Sequence, residues 1–422
     1  MRETKREEHY DLVVIGGGPA GMAAAIAAKE EGLDRILILE REEFLGGILQ
    51  QCIHNGFGLH KFNEELTGPE YADRYERRVK TLGIEYRLGV TVTDLTSQRV
   101  ITAVGEYGVS RIYAHAIILA MGCRERNRGP LQIVGSRPAG IYTAGAAQKF
   151  VNLKGMLPGK EVIILGSGDI GLIMARRMTL EGAHVKAVLE YLPYSGGLKR
   201  NIVQCLDDFE IPLMLSHTVV QIHGKQRVEG VTVCEVGDDG QYVPDSSQYI
   251  SCDTVLLSVG LIPENELAKK AGVSLDPITG GAVVNSRRET SVPGIFSCGN
   301  VLHVHDVVDY VSEEAEIAGR AAARYLLGRR NTGRPVVVKK GVGVRYVVPQ
   351  VIENVNEDLK LFFRSDGVYR DAYLKVSCNG ETLYHRKRKI VTPGEMATVV
   401  LKNDVVASIN DDEITVEVEM PS

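Results

Sequence analysis

The sequence predicts an α/β protein built from two Rossmann-like dinucleotide-binding domains, the second inserted in the first, with an antiparallel β domain at the C-terminal end. Three observations carry this. A glycine-rich strand–turn–helix pattern opens the chain, the same pattern recurs in the same register in its middle, and beyond about residue 333 the sequence turns to short alternating β segments.

The first pattern is DLVVIGGGPAGMAAAIAAKEEGLDRILILE, residues 11–40. Its apolar run at 12–15 reads as a buried strand. Gly16, Gly18 and Gly21 stand at G-x-G-x-x-G spacing. The first permits the turn, the second lets a pyrophosphate approach the backbone, and the third lets helix pack on strand. Pro19 and Ala20 begin a helix whose free N–H groups and positive dipole end suit a diphosphate. Glu40 closes the second strand, where a carboxylate can accept from ribose hydroxyls. The second pattern, EVIILGSGDIGLIMARRMTLEGAHVKAVLE at 161–190, repeats it with Gly166, Gly168, Gly171 and Glu190, and Asp169 and Ile170 begin its helix. Gly16 to Gly166 and Glu40 to Glu190 are equal displacements, with no gap between. Two phosphate cradles imply two dinucleotides, and two dinucleotides in one chain suggest electrons passing between them.

At 422 residues the chain has room for two or three domains with buried cores. A net charge of −5 gives no reason to expect nucleic acid or an anionic membrane as partner. The opening MRETKREEHY lacks the apolar core of a secretory leader, and no apolar run approaches the roughly twenty residues that span a bilayer. The seven cysteines are scattered and odd in number, with no C-x-x-C, which fits a reducing cytoplasm and argues against a cysteine-held cluster or zinc.

Between the cradles, residues 41–66 form a glycine-rich loop in which Gly46 and Gly47 give the backbone room beside a ligand. Residues near 70–83 read as a helix, with Pro69 in its first turn and Gly83 just past its end. Residues 105–115 read as a hairpin leading into an apolar strand at 116–120. The segment 311–328 has an acidic first turn, a basic second half and a closing glycine, all favouring helix. In the C-terminal region the pairs Asn379, Gly380 and Pro393, Gly394 mark turns, and the basic run 385–389 reads as a solvated strand edge or a docking patch.

With these segments in view, the chain resembles the two-dinucleotide-binding-domain flavoproteins of the glutathione-reductase-like class. AIILAMG at 116–122, DTVLLSVGLIPEN at 253–265 and RETSVPGIFSCGN at 288–300 are similar to that class's further signatures. The resemblance implies FAD in the first cradle, held by Gly16, Gly18, Pro19, Ala20, Gly21, Glu40, Arg41, Gly46, Gly47, Ile48, Val92, Ala120, Met121, Gly122, Gly299, Asn300 and Val308. It implies a nicotinamide dinucleotide in the second, held by Gly166, Gly168, Asp169, Ile170, Gly171, Glu190 and Gly260. The domains it implies are 1–139 with 285–330 for FAD, 140–284 for NAD(P)H, and 331–422 as a β-sandwich-like domain. A narrower likeness lies in RERNRGPLQIVGSRPAGIYTAGAAQKF at 124–150, similar to the FAD subunits of opine oxidases and hydrogen cyanide synthase. GGILQQCIHNGFGL and GNVLHVHDVVDYVSEEAE are similar to bacterial oxidoreductases that occur beside glycerol-3-phosphate dehydrogenase-type partners. It suggests an electron-transfer subunit whose dehydrogenase partner docks on the β domain.

Hydride transfer between nicotinamide and flavin needs positioning more than a protein acid or base, so no firm catalytic residue is expected. Glu190 favours NADH over NADPH, because its carboxylate repels a 2′-phosphate. Asn300 stands where the class usually has Asp. Cys52 lies where disulfide reductases carry a redox pair but has no near partner in sequence, so a buried structural thiol is the default and a single redox thiol the alternative. His54 is a candidate beside the flavin. His303, His305 and Asp306 invite a metal reading, but no cysteine or further acid clusters with them in sequence. No metal is expected, and His305 is a candidate at the flavin edge. The run of Arg124, Glu125 and Arg126 reads as a salt-bridged linker, and Arg137 and Pro138 with Tyr142 and Thr143 as a rigid crossover.

Overall fold

The strand Arg6–Ile15 is the centre of the first sheet, and its apolar run is buried on both faces: Leu12 and Val14 face one core, Val13 and Ile15 the other. The structure is a computed structural model and describes residues 6–329, 333–353 and 358–421. Ile36–Leu39 and Gly108–Leu119 flank the central strand in parallel, with Ile15 in register with both Leu39 and Leu119. The short strand Ile295–Ser297 returns to the same sheet, placing Ser297 beside Leu119. Four strand ends therefore meet at one edge, the carboxyl edge at which open α/β sheets bind ligands.

The helix Pro19–Glu30 leaves that edge and packs on the helix Val308–Leu326 through alanines of both, which let the two axes come close. The helix expected near 70–83 spans Gly68–Thr81. It begins earlier because Thr67 and Glu70 form a capping box, in which the Thr67 amide donates to Glu70 Oε2 at 2.8 Å. The hairpin expected at 105–115 is formed by Val100–Gly105 and the first half of Gly108–Leu119.

The chain divides into two compact units, one of Met1–Cys123 with Pro263–Ser422, the other of Arg124–Ile262. The second carries a five-stranded parallel sheet in the order Ile141–Thr143, Thr254–Leu257, Glu161–Leu165, His184–Leu189, Leu213–Met214. A four-stranded, mainly antiparallel sheet accompanies it. The inner unit thus both begins and ends earlier than the 140–284 expected. Residues 263–284 lie in the first unit, where Ala268, Ala271, Val273, Ala282 and Val284 pack under Val13, Ile117 and Ile295. Their apolar side chains cover one face of the first sheet.

The C-terminal region forms sheets of five and three strands around Leu361, Phe363, Val376, Val399, Ile414 and Val416. It departs from a purely antiparallel plan in one pair, Pro335–Lys340 running parallel to Glu413–Glu419. Asn379 and Gly380, both with positive φ, make the hairpin turn expected of them. The basic run begins on Glu381–Lys387, the edge strand of the larger sheet, where His385 stacks on Tyr373 at 4.4 Å. Among the described residues no helix is long and apolar enough to cross a membrane.

Candidate functional site

The first cradle is built from local necessities. Gly16 has φ +107°, and a Cβ there would strike the carbonyl oxygen of Ala120, so the turn admits only glycine. Glu40 is buried. Its Oε2 accepts the Gly17 amide at 2.6 Å and its Oε1 the Glu42 amide at 2.9 Å, which ties the strand end to the glycine turn. The helix Pro19–Glu30 has Gly18 at its N-cap, no side-chain cap and no acid in its first turn. Its leading N–H groups and dipole are thus available to a diphosphate.

Other expected residues gather here. The Gly46 amide donates to the Gly17 carbonyl at 2.9 Å, Gly47 lies against Gly18, and Ile48 is exposed beside them. Ala120, Met121 and Gly122 continue the strand that abuts Gly16. Gly299 lies so close to Ala20 that a Cβ would come within 2.8 Å of Ala20 Cβ. Arg41 is exposed next to Glu40, and Val308 is the first residue of its helix. Val92 is half-buried and packs against the core of the first sheet.

The second cradle repeats the glycine turn and the buried strand-end acid of the first, but its helix Asp169–Leu180 opens on an acid. Gly166 has φ +101° and abuts the Ser258 carbonyl as Gly16 abuts that of Ala120. Glu190, also buried, accepts the Ser167 amide at 2.9 Å and hydroxyl at 2.6 Å on Oε2, and the Leu192 amide at 3.0 Å on Oε1. The duplication runs further than the glycine motif. Gly196 and Gly197 match Gly46 and Gly47 in register, and the Gly196 amide donates to Ser167 Oγ at 3.2 Å. Asp169 fastens this crossing loop, its Oδ1 accepting the Leu198 amide at 2.8 Å and Asn201 Nδ2 at 2.7 Å. Gly260 has φ +104° and its carbonyl accepts the Arg126 amide. Ile170 is half-buried beside Gly171, and Tyr191 is exposed with its hydroxyl on the Gly240 carbonyl. Extending the repeat past Glu190 points to the second glycine pair; Ser167 lies within it, where the first repeat has Gly17, and only its hydrogen bonds to Glu190 mark its part.

Cys52 is buried, and its thiol lies 3.3 Å from the Ile48 carbonyl. Burial pushes it up to about 12, so thiolate is scarce at neutral pH. His54 is half-buried and packs on Phe57 at 5.1 Å. Glu125 takes the Gly145 amide at 2.7 Å, at the start of the helix Ala144–Lys154 that Thr143 caps, so this acid serves a helix end.

His303 and His305 form the largest departure from the sequence reading. An acid does cluster with them: Glu314, eleven and nine positions on, meets both imidazoles. All three side chains are fully buried. Their ligand-type atoms lie within 4.8 Å of one another, but the Glu314 carboxylate already accepts from Arg288, whose charge balances it. Burial alone would raise Glu314, yet the attraction of His303, His305 and Arg288 and the hydrogen bond from His303 hold it well below the usual carboxylate range. Burial lowers His303 to about 4, so it is neutral at physiological pH. Asp306 pairs with Arg364 of the C-terminal sheets and takes the Met396 amide at 2.6 Å. Asn300 Oδ1 accepts the His305 amide at 3.0 Å, and its Nδ2 lies 3.7 Å from Cys123 Sγ. The signal for this cluster is in the sequence, since Glu314 interrupts the helix stripe of Val311, Ala315, Ala318 and Ala322.

Residues 10–316 match the family model described as pyridine nucleotide-disulphide oxidoreductase. The chain is similar to the ferredoxin–NADP reductase of Picrophilus torridus, 24% identical over 70% of this chain and 87% of that protein. It is similar to hydrogen cyanide synthase subunit HcnB of Pseudomonas protegens, 25% identical over 75% of this chain and 70% of that one. Its fold is similar to the solved thioredoxin reductase of T. acidophilum, with a TM-score of 0.60 and 23% identity over 76% of this chain and 100% of that structure.

Proposed function

Because the chain belongs to the pyridine nucleotide-disulphide oxidoreductase family, we propose that it moves hydride between NADH and FAD and exchanges electrons with a further acceptor. The observation that carries this is the doubled cradle, each with its glycine turn and its buried strand-end acid. FAD, when bound, supplies an acceptor for hydride and a store for two electrons. The chain's own part is to hold each diphosphate at a helix start and to orient the riboses. Gly16, Gly18, Pro19, Ala20, Gly21 and Glu40 do this for FAD, with the turn of Gly299 and Asn300 beside them. Gly166, Gly168, Gly171 and Glu190 do it for the nicotinamide dinucleotide.

NADH is preferred to NADPH in this reading. Glu190 is buried and its charge is fixed at the strand end, so a 2′-phosphate beside it costs about 1–4 kcal/mol at intermediate dielectric. Electrons do not leave through Cys52, whose buried thiol is poorly ionised. Seven thiols without a disulfide fit work in the cytoplasm.

A second reading makes the chain an electron-transfer subunit of a dehydrogenase of glycerol-3-phosphate, opine or amine type, whose partner holds the substrate site. Its likeness to hydrogen cyanide synthase subunit HcnB supports this. The basic edge strand Glu381–Lys387 is the face of the C-terminal sheets that such a partner would use.

Anaerobic titration with NADH tests both readings. The purified protein is expected to be yellow and its visible flavin band to bleach with one equivalent. Bound flavin that NADH leaves unbleached would overturn the hydride reading. Co-purification with a dehydrogenase supports the subunit reading, and full turnover by the solitary chain on a small-molecule acceptor overturns it.

A further inference from the structure

Glu314 is a buried anion in the middle of an otherwise apolar helix face, and such a group is costly unless each oxygen is satisfied and a countercharge is near. Here both conditions hold. Oε1 accepts Arg288 Nε and His303 Nε2, each at 3.0 Å. Oε2 accepts the Gly299 amide and His305 Nε2, each also at 3.0 Å. An ionised carboxylate only accepts, so both imidazoles carry their proton on Nε2. Their Nδ1 atoms are buried without a hydrogen-bond partner.

The cluster converges on one turn. Glu314 holds the amide of Gly299, a residue at φ +72° pressed against Ala20 of the first cradle. His305 holds Asn300 through its own amide while its ring is fixed by Glu314. Phe362 of the C-terminal sheets covers both imidazoles, its ring 5.6 Å from His303 and 5.5 Å from His305. Lys360 and Arg364 on either side pair with Glu313 and Asp306, which fastens that strand across the segment. The cluster reaches the cradle through the turn of Gly299 and Asn300.

We propose that Glu314 and His305 are positioning residues for the flavin. They fix the turn of Gly299 and Asn300 against the first cradle, Arg288 balances the charge of Glu314 beside that turn, and Phe362 keeps the assembly dry. The inference rests on the flavin reading of that cradle. It assigns the C-terminal sheets a part in the flavin site itself.

The test uses full-length protein, stripped of flavin and reconstituted with FAD. In His305→Ala the turn loses its clamp, and FAD affinity is expected to fall at least tenfold. His305→Gln, whose Nε2 can donate to Glu314, is expected to restore it to within a few-fold. In Glu314→Gln the charge of Arg288 is left unbalanced, which favours the negative charge that reduction adds to the flavin. The potential is expected to rise by a tenfold change in the two-electron equilibrium, about 30 mV. Should Glu314→Gln not fold, the His305 pair decides. A wild type that takes up no FAD overturns the flavin reading and this inference with it. A wild type that binds FAD, with His305 variants of unchanged affinity or no rescue by Gln, overturns this inference alone. So does a folded Glu314→Gln whose flavin potential stays put.

Discussion

Glu190 holds Ser167 twice with a single oxygen, at the backbone amide and at the hydroxyl, and so closes the second glycine turn from behind. Glu40 holds the Gly17 amide in the same way in the first. Each acid reaches the turn through one oxygen and the chain just beyond itself through the other, which keeps a charged group buried without a cation. If Glu190 also meets the ribose, Glu190→Gln loses the repulsion toward a 2′-phosphate. The ratio of kcat/KM for NADH to that for NADPH is then expected to fall about tenfold, roughly 1.4 kcal/mol. A wild type that already prefers NADPH in steady-state assays contradicts the assignment.

The two glycine turns can be broken separately. Gly16→Ala forces a left-handed backbone onto a side chain that meets the Ala120 carbonyl, a cost of at least about 2 kcal/mol. The protein is expected to purify with little flavin and a lowered unfolding midpoint. Gly166→Ala makes the equivalent clash with Ser258 in the other unit. It is expected to keep its flavin but to bleach with NADH far more slowly. Absorbance spectra of the two variants, and their bleaching traces, check this; equal flavin loss in both would show that the cradles do not divide the cofactors.

Cys52 offers a clean negative. Cys52→Ser is expected to leave NADH-dependent flavin reduction and dye reduction within about twofold of wild type, since a thiol raised to about 12 by burial supplies little thiolate. A drop of tenfold or more in either rate would give this thiol a redox role.

Buried His303 predicts an acid-sensitive fold. His303 has its ordinary value near 6.5 when the chain unfolds and about 4 in the folded state, lowered by burial against the opposing pull of Glu314. The unfolded chain therefore binds the extra proton first as pH falls. The stabilisation is complete above about 6.5 and shrinks as pH drops toward 4, by about 2 kcal/mol at pH 5. Urea unfolding at pH 7 and pH 5 measures it. His303→Gln, which keeps a donor toward Glu314 but does not titrate, is expected to flatten the difference; a wild type equally stable at both values refutes the account.

What could be read from the chain alone was local. A glycine turn after an apolar strand, an acid where the next strand stops, and an Asn and Gly between alternating segments each declare themselves within a few residues. The turn geometry they demand has few solutions, so both cradles and the hairpin at Asn379 were legible. The sequence by itself thus determined two nucleotide-binding units and their order. Tertiary structure alone decided what the apolar segment 263–284 covers, because any sheet face of the right hydrophobicity could have received it. It also decided the surroundings of Glu314. Arg288, Gly299, His303, His305 and Phe362 come from a turn, a second turn, a loop and a separate sheet. A buried charge is tolerable only where such distant partners converge, and convergence belongs to the folded chain, not to any window along it.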